Sequence, residues 1–289
     1  MPETPGLIET QKGGIPFTKM HGLGNDFVVF DNRSGQVPCD KATLRQLADR
    51  HLGIGCDQIL MVTSPHTDEA DFGYAIYNAN GQAVGQCGNG ARCLAHFIHH
   101  HNISNKQSLS LRTTTTAMTV TKLTKNIYSV DMPAPSFEIS QLPFTPLDHE
   151  AQPPYALSGF DAPCYIANVG NPHAIFIEDE VRNKPSMAPA KALSEHTQFP
   201  EQANISFMKI HDPHHISLTV YERGSGPTLA CGSAACAAMA VGKHHLSLAP
   251  EVRVTLPGGD LSVSWEGGKN PLKLSGPSEI VFEGILPQK

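Results

Sequence analysis

Short runs of alternating hydrophobic and polar residues fill this chain, and they recur in the same order in its two halves. Phe72, Tyr74 and Ile76 occupy every second position and are followed in phase by Asn78; Ile216, Leu218 and Val220 are followed likewise by Glu222. Side chains alternate between the faces of a strand, so each run predicts a strand whose buried face ends in a polar group. Nine positions beyond each polar residue stands a cysteine, Cys87 or Cys231, and each cysteine opens a small-residue turn into an apolar stretch. These stretches predict two helices. The first buries Cys93, Leu94, Phe97 and Ile98; the second runs to about 241, with Ala237, Ala238 and Val241 small enough for a crowded core. Asn25 of a Gly-Asn pair lies 62 positions before Cys87 (87 minus 25), and Asn171 of another lies 60 before Cys231 (231 minus 171). Three features in one order at nearly equal spacing indicate an internal duplication.

The remaining pattern fills in around this plan. Strands are predicted at 27–31, 59–63, 165–169, 174–178, 205–210, 252–256, 260–265 and 280–282, a helix at 41–51, and a Thr/Val-rich hairpin within 109–130. Seven prolines between 133 and 163 put a domain boundary near 132, giving halves of 1–131 and 132–276. Residues 1–15 contain Pro2, Pro5, Gly6, Gly13 and Gly14 and no apolar core, so they read as a loose extension and not a signal peptide. Many short strands around one helix per half point to an α+β fold.

Composition narrows the function. The net charge is −6 and no basic stripe is present, which argues against nucleic acid as partner. No apolar run approaches the ~20 residues of a membrane span. Seven cysteines, an odd number without an export signal, suit a reducing, cytoplasmic setting. No metal is expected: there is no CxxC pair, and the adjacent histidines at 99–101, 214–215 and 244–245 read as solvated surface. No cofactor is expected either. Gly22-x-Gly24 is followed by Phe27 where a dinucleotide fingerprint needs its third glycine, and no phosphate-binding loop occurs.

What remains is the pair of cysteines. A thiol at a helix N-terminus ionises more easily, because the exposed N–H groups and the dipole stabilise the thiolate. If the halves face one another, a carboxylate held by both sets of N–H groups sets its α-carbon between two sulfurs. One thiolate removes the α-proton and the other thiol returns one to the opposite face, which is what inversion requires. The α-carbon is a weak acid, and preorganised donors, each worth ~3–4 kcal/mol, are the means of stabilising the developing charge. One thiol and one thiolate near neutral pH are the expected resting state.

Specific blocks resemble the diaminopimelate epimerase family. They are Lys19 to Phe27, Gly53 to Gln58, Tyr77 to Gly81, Gln86 to Cys93, Gly170 to His173, Glu222 to Ser233 and Leu256 to Leu261. The resemblance implies two pseudo-symmetric halves, each a β-barrel-like sheet around a central helix, with a C-terminal strand near 277–289 returning to the first half. It implies cofactor-independent interconversion of LL- and meso-2,6-diaminopimelate, serving lysine and peptidoglycan precursor synthesis, by a homodimer. By matching position it makes Cys87 and Cys231 the acid/base pair, and the amides of Gly88, Asn89, Gly232 and Ser233 the carboxylate cradle. Arg223 resembles the clamp for the distal carboxylate, with Asn78, Asn171 and Asn204 beside it; Asn25 and Gln58 complete the pocket. His173 and Glu222 resemble the groups that tune the thiols, and Glu222 also a partner for a substrate ammonium. Cys39, Cys56, Cys93, Cys164 and Cys236 read as small packing residues. Ala234 stands where the family has a second glycine, Cys56 and Asn80 replace commoner residues, and Phe282 replaces a tyrosine of the dimer contact. Three rivals stay open: a two-cysteine racemase of proline or hydroxyproline, which Arg223 and the asparagines oppose as groups it would leave buried and unpaired; a hydrolase or transferase using Cys231 as nucleophile with His173; and a non-catalytic binding module on the same fold.

Overall fold

Several strands of this protein bury consecutive residues, not alternate ones, because both faces of their sheet are covered. Val28, Phe30, Ile59 and Met61 pack against Leu44, Leu47 and Ala48 of a short helix, while Phe27, Val29, Leu60 and Val62, of opposite parity, are also fully buried. The computed structural model describes residues 13–65, 69–147, 152–160, 162–178 and 189–287. Most of the predicted extension, residues 1–12, lies outside the described residues. The chain divides into two compact units, Met1–Val130 with Gly276–Lys289, and Asp131–Ser275.

The first unit contains β1 (Gly14–Gly22), β2 (Asn25–Asp31), α1 (Lys41–Ala48), β3 (Gln58–Thr63), β4 (Phe72–Asn78), α2 (Gly88–His100), β5 (Ser108–Arg112), β6 (Ala117–Lys122), β7 (Ile127–Met132) and β16 (Glu279–Pro287). The strands lie in the order β16-β1-β2-β3-β4-β5-β6-β7. The sheet surrounds α2, which packs on β1, β2, β3 and β6. Asp40 caps α1, its carboxylate accepting from the N–H groups of Ala42 and Thr43 (3.1 and 3.0 Å). The helix stops at Ala48, three residues short of the expected end, because Asp49 turns extended and caps the next turn through His51 and Leu52.

The second unit contains β8 (Tyr165–Asn168), β9 (Pro172–Ile177), α3 (Ala190–Ser194), β10 (Asn204–Asp212), β11 (His215–Glu222), β12 (Gly226–Thr228), α4 (Gly232–His245), β13 (Glu251–Leu256), β14 (Gly259–Ser264) and β15 (Leu272–Pro277). Its order is β15-β14-β13-β11-β10-β9-β8, with β12 hairpinned onto β11. The helix α4 packs on β8, β9, β10, β13 and β14, and Ala234 to Gly242 are buried on every side. The many small residues of α4 let its strands approach closely.

Pairing directions repeat between the units. From β1 to β7 successive pairs are antiparallel, parallel, antiparallel, parallel, antiparallel and antiparallel. From β8 to β15, leaving out β12, the sequence of directions is the same. In both units a helix that begins at a cysteine makes the crossover between the second parallel pair. The fold is α+β. The sheet path is open among the described residues, so each helix is wrapped without hydrogen-bonded barrel closure. Three expectations are corrected. Residues 14–22 are a full strand, fixed by pairing with β16; the 109–130 hairpin is part of a three-stranded meander; and the strand at 280–282 is nine residues long. No helix among the described residues is long and apolar enough to cross a membrane.

Candidate active site

In the first unit, β1 and β2 are joined through Leu23 (φ 57°) and Gly24 (φ 87°). Two successive left-handed residues make the tight turn favoured in hairpins, and it sets Asn25 opposite Gly22 at the head of β2. Gln58 heads the neighbouring β3 and pairs with Asn78, the last residue of β4; Gln58 Nε2 donates to Asn78 Oδ1 at 2.9 Å. Beyond β4, Cys87 is the extended N-cap of α2, and its Sγ accepts from Gly90 N at 3.3 Å. The first intrahelical bond is Ala91 N to Cys87 O (2.9 Å), so the amides of Gly88 and Asn89 precede the helical ladder. Asn89 Nδ2 donates to Asn25 Oδ1 at 3.4 Å. The unit thus gathers Asn25, Asn89 and Cys87 at one end of α2, with Gln58 and Asn78 joined on the adjacent strand ends.

The second unit repeats the arrangement with other chemistry. Asn204 heads β10, and because Ile205 pairs with Tyr221, Asn204 stands level with Glu222 at the end of β11. Cys231 is the N-cap of α4 and only 4% exposed; its sulfur lies 3.4 Å from Ser233 Oγ. Asn171 Nδ2 donates to Ser233 Oγ (3.4 Å), and His173 Nε2 donates to Asn171 Oδ1 (3.0 Å). Asn204 bridges this group to the next loop: its Nδ2 donates to Pro172 O (3.3 Å) and its Oδ1 accepts from Arg223 N (2.9 Å). Glu222 Oε1 accepts from Thr228 Oγ1 at 2.7 Å.

Electrostatics bears on which sulfur of the expected pair holds the proton. Burial pushes the Cys231 thiol well above its ordinary value, and the charge of Glu222 and a hydrogen bond to it push the same way. Ser233 and the Ala234 N–H oppose the shift without reversing it. Loss of water thus outweighs the hydrogen bonds that face the sulfur, and Cys231 is held as the thiol. His173 is fully buried, and burial together with the nearby Arg223 charge lowers its imidazole to about 3. Its Nδ1 is buried and has no partner among the described residues, so a second ring proton there would find no acceptor among them.

Other expectations change as well. Arg223 is exposed, one residue past β11, with Nη1 donating to Glu201 O at 2.6 Å; it is not a buried clamp, so the case it made against a proline-type substrate as a buried, unpaired group is withdrawn. Asn78 and Asn171 are half-buried, and only Asn204 is buried. Cys56, Cys93, Cys164 and Cys236 are buried, but Cys39 is exposed. Burial holds Cys56 and Cys93 at about 12, which keeps both protonated. Ala234 is accommodated. A methyl group on its counterpart Gly90 would force a neighbour to shift, since a Cβ there would lie 2.3 Å from Tyr74 Oη, whereas the residue equivalent to Tyr74 is Leu218, which has no hydroxyl. The adjacent histidines are not uniformly solvated: His99 stacks on Tyr128 and His244 on Phe137, and the His101 ring lies tilted against Phe97. Among the described residues one group, His100, His101 and Glu283, has possible metal-ligand atoms within 4.8 Å of one another. It lies at the far end of α2 from Cys87.

The model of the diaminopimelate epimerase family matches residues 17–137 and 165–281. The chain belongs to this family. A diaminopimelate epimerase of Nitrosospira multiformis is 42% identical over 274 residues, covering 94% of this chain and 98% of that protein. Among solved structures, a phenazine biosynthesis protein of the PhzF family from Bacillus anthracis is similar in fold, with TM-score 0.70 and 15% identity over 95% of this chain and 99% of its own. A hydroxyproline epimerase from Agrobacterium vitis has TM-score 0.66 and 13% identity, covering 96% of this chain and 93% of its own. At such identities these two likenesses concern the fold alone. Within the matched range lie residues that the sequence reading left without a role. Tyr74 donates to Cys87 O (3.3 Å), and Asp57 and Arg92 flank Asn25 and Asn89. Asp57 and Arg92 were signalled only by a place inside the family blocks, and Tyr74 only by its place in the alternating run before Asn78.

Proposed function

We infer that this chain is an amino-acid epimerase that interconverts LL- and meso-diaminopimelate, with Cys87 and Cys231 as its two acid/base groups. Family membership over most of the chain supports the reaction class and substrate. The observation that carries the mechanism is the repeated placement: each unit brings one cysteine to the N-terminus of its central helix, next to amides that precede the helical ladder. Cys231, kept protonated by burial and Glu222, is the proton donor of the resting enzyme, and Cys87 is the base. After one turnover the roles are exchanged, as the reverse reaction demands. Gly88, Asn89, Gly232 and Ser233 supply N–H groups to the reacting carboxylate, where negative charge grows as the α-proton leaves. Arg223, exposed and beside Asn204, receives the distal carboxylate by giving up its bond to Glu201 O. His173 acts on Cys231 through Asn171 and Ser233. No group in this scheme calls for a cofactor. A cytoplasmic setting and a homodimer complete the proposal; β16, the outer strand of its sheet, exposes Val281, Phe282 and Ile285, an apolar edge suited to a second copy.

Incubation with LL-diaminopimelate in D2O tests the reading. Deuterium should enter at one α-carbon with inversion, and Cys87→Ser or Cys231→Ser should each reduce turnover by about 10²-fold or more. Full activity of Cys87→Ser would favour a single-nucleophile enzyme, and turnover of proline without diaminopimelate would favour the racemase.

A further inference from the structure

Arg92 lies on α2 within its most buried stretch, and its side chain is 0% exposed. A guanidinium only donates, so the Asn89 atom 3.0 Å from Nη2 is the amide oxygen. That turns the Asn89 nitrogen the other way, toward Asn25 Oδ1 at 3.4 Å. The nitrogen of Asn25 then meets Asp57 Oδ2 at 3.1 Å, and a carboxylate only accepts. The series Arg92, Asn89, Asn25, Asp57 therefore has a single direction, set by a cation at one end and an anion at the other. If either amide reversed, two oxygens or two N–H groups would face each other.

Both ends are anchored. Asp57 also accepts from Arg50 Nη2 (2.7 Å) and Asp26 N (3.2 Å), and its own N–H donates to Asp26 Oδ1 (2.9 Å). Arg92 Nε reaches Pro277 O at 3.5 Å. Gly22 leaves the room required, since a Cβ there would lie 3.3 Å from Arg92 Nη2 and 3.6 Å from Asn89 Cβ. The second unit supplies the contrast. Asn171 occupies the place of Asn25 and Ser233 that of Asn89, yet there the asparagine donates to the helix residue, with His173 at its oxygen. The same fold thus carries either direction, and the terminal groups choose it.

We propose that Arg92 and Asp57 are positioning residues whose opposite charges fix the orientation of the Asn89 and Asn25 amides. The proposal rests on reading those two asparagines as substrate-facing groups. The direction in which each amide presents its N–H and its oxygen is then preset for a ligand bearing both carboxylate and ammonium, and no orientation has to be found during binding.

Asp57→Asn, nearly isosteric and on an exposed residue, and Arg92→Lys test the proposal in the full-length protein. The first readout is the ¹⁵N side-chain amide spectrum without substrate. Asp57→Asn should shift the Asn89 amide, which it does not touch, and Arg92→Lys should shift the Asn25 amide. Changes confined to the adjacent amide would overturn the proposal. If Arg92→Lys does not fold, Asp57→Asn alone decides it. The second readout is kinetics: each variant should lower kcat/KM about tenfold or more, and the double variant should cost no more than the worse single one. Losses that multiply would mean two unrelated supports and would also overturn it. Should the wild type fail to epimerise diaminopimelate, the proposed function falls, while the amide spectra still judge the positioning role.

Discussion

Acid should weaken this protein through His173. The ordinary imidazole value of 6.5 falls to about 3 in the folded chain, because the ring is wholly buried and faces the Arg223 charge. Below pH 6.5 the unfolded chain takes up a proton that the folded chain refuses, so stability decreases as pH falls toward 3 and is retained above 6.5. The slope approaches ~1.4 kcal/mol per pH unit, and between pH 7.5 and 5 the loss amounts to about 2 kcal/mol from this residue alone. Burial also lowers His96, His101 and His245, which contribute in the same direction. A comparison with His173→Gln, whose Nε2 can replace the imidazole donor to Asn171, cancels those contributions. Urea unfolding of both proteins at pH 7.5 and 5 gives the difference of differences. With a denaturant slope of about 3 kcal/mol per molar, the wild-type midpoint should fall some ~0.7 M further than that of the variant. Equal falls in the two proteins would refute the reasoning, since His173 would then titrate normally in the folded state.

Three further outcomes are expected. Gly90→Ala should cost about 1–3 kcal/mol, because its methyl group would meet Tyr74 Oη at 2.3 Å; Tyr74→Phe in the same chain should recover part of this, and an unchanged melting temperature would contradict the clash. Asp26→Asn should destabilise by about 3 kcal/mol or more, since it strips the counter-charge from Lys19, whose side chain is 10% exposed. Burial alone would raise the Asp26 carboxyl, but bonds from Arg50 and Lys19 outweigh it and hold it well below the usual range. Its contribution therefore persists above pH 3.8 and is lost below, and a urea midpoint unaffected by the substitution would exclude this role. Phe282→Glu, on the exposed β16 edge, should shift sedimentation toward the monomer, and an unaltered mass would place any dimer contact elsewhere.

Much of the architecture was legible in local pattern. Alternation at 72–78 and 216–222 located two strands, and the cysteines before apolar runs located the two central helices, because period and capping depend on near neighbours in the chain. Strand β1 escaped this reading. It opens on Gly14-Ile15-Pro16 directly after Gly13, and its partner β16 comes from the far end of the chain, with Gly14 opposite Pro287. Among site residues, the echo of Asn25 in Asn171 was readable, but the opposite directions of their hydrogen bonds were not. Direction follows from Asp57 and Arg92 in one unit and His173 in the other, which are brought to those amides by pairing and packing. The state of Cys231 shows the same division. The sequence placed a thiol at a helix N-terminus, where a dipole favours the anion. Only the packed unit, by excluding water and setting Glu222 beside the sulfur, decided that desolvation prevails, because burial belongs to the whole assembly of strands around the helix and not to any stretch of chain.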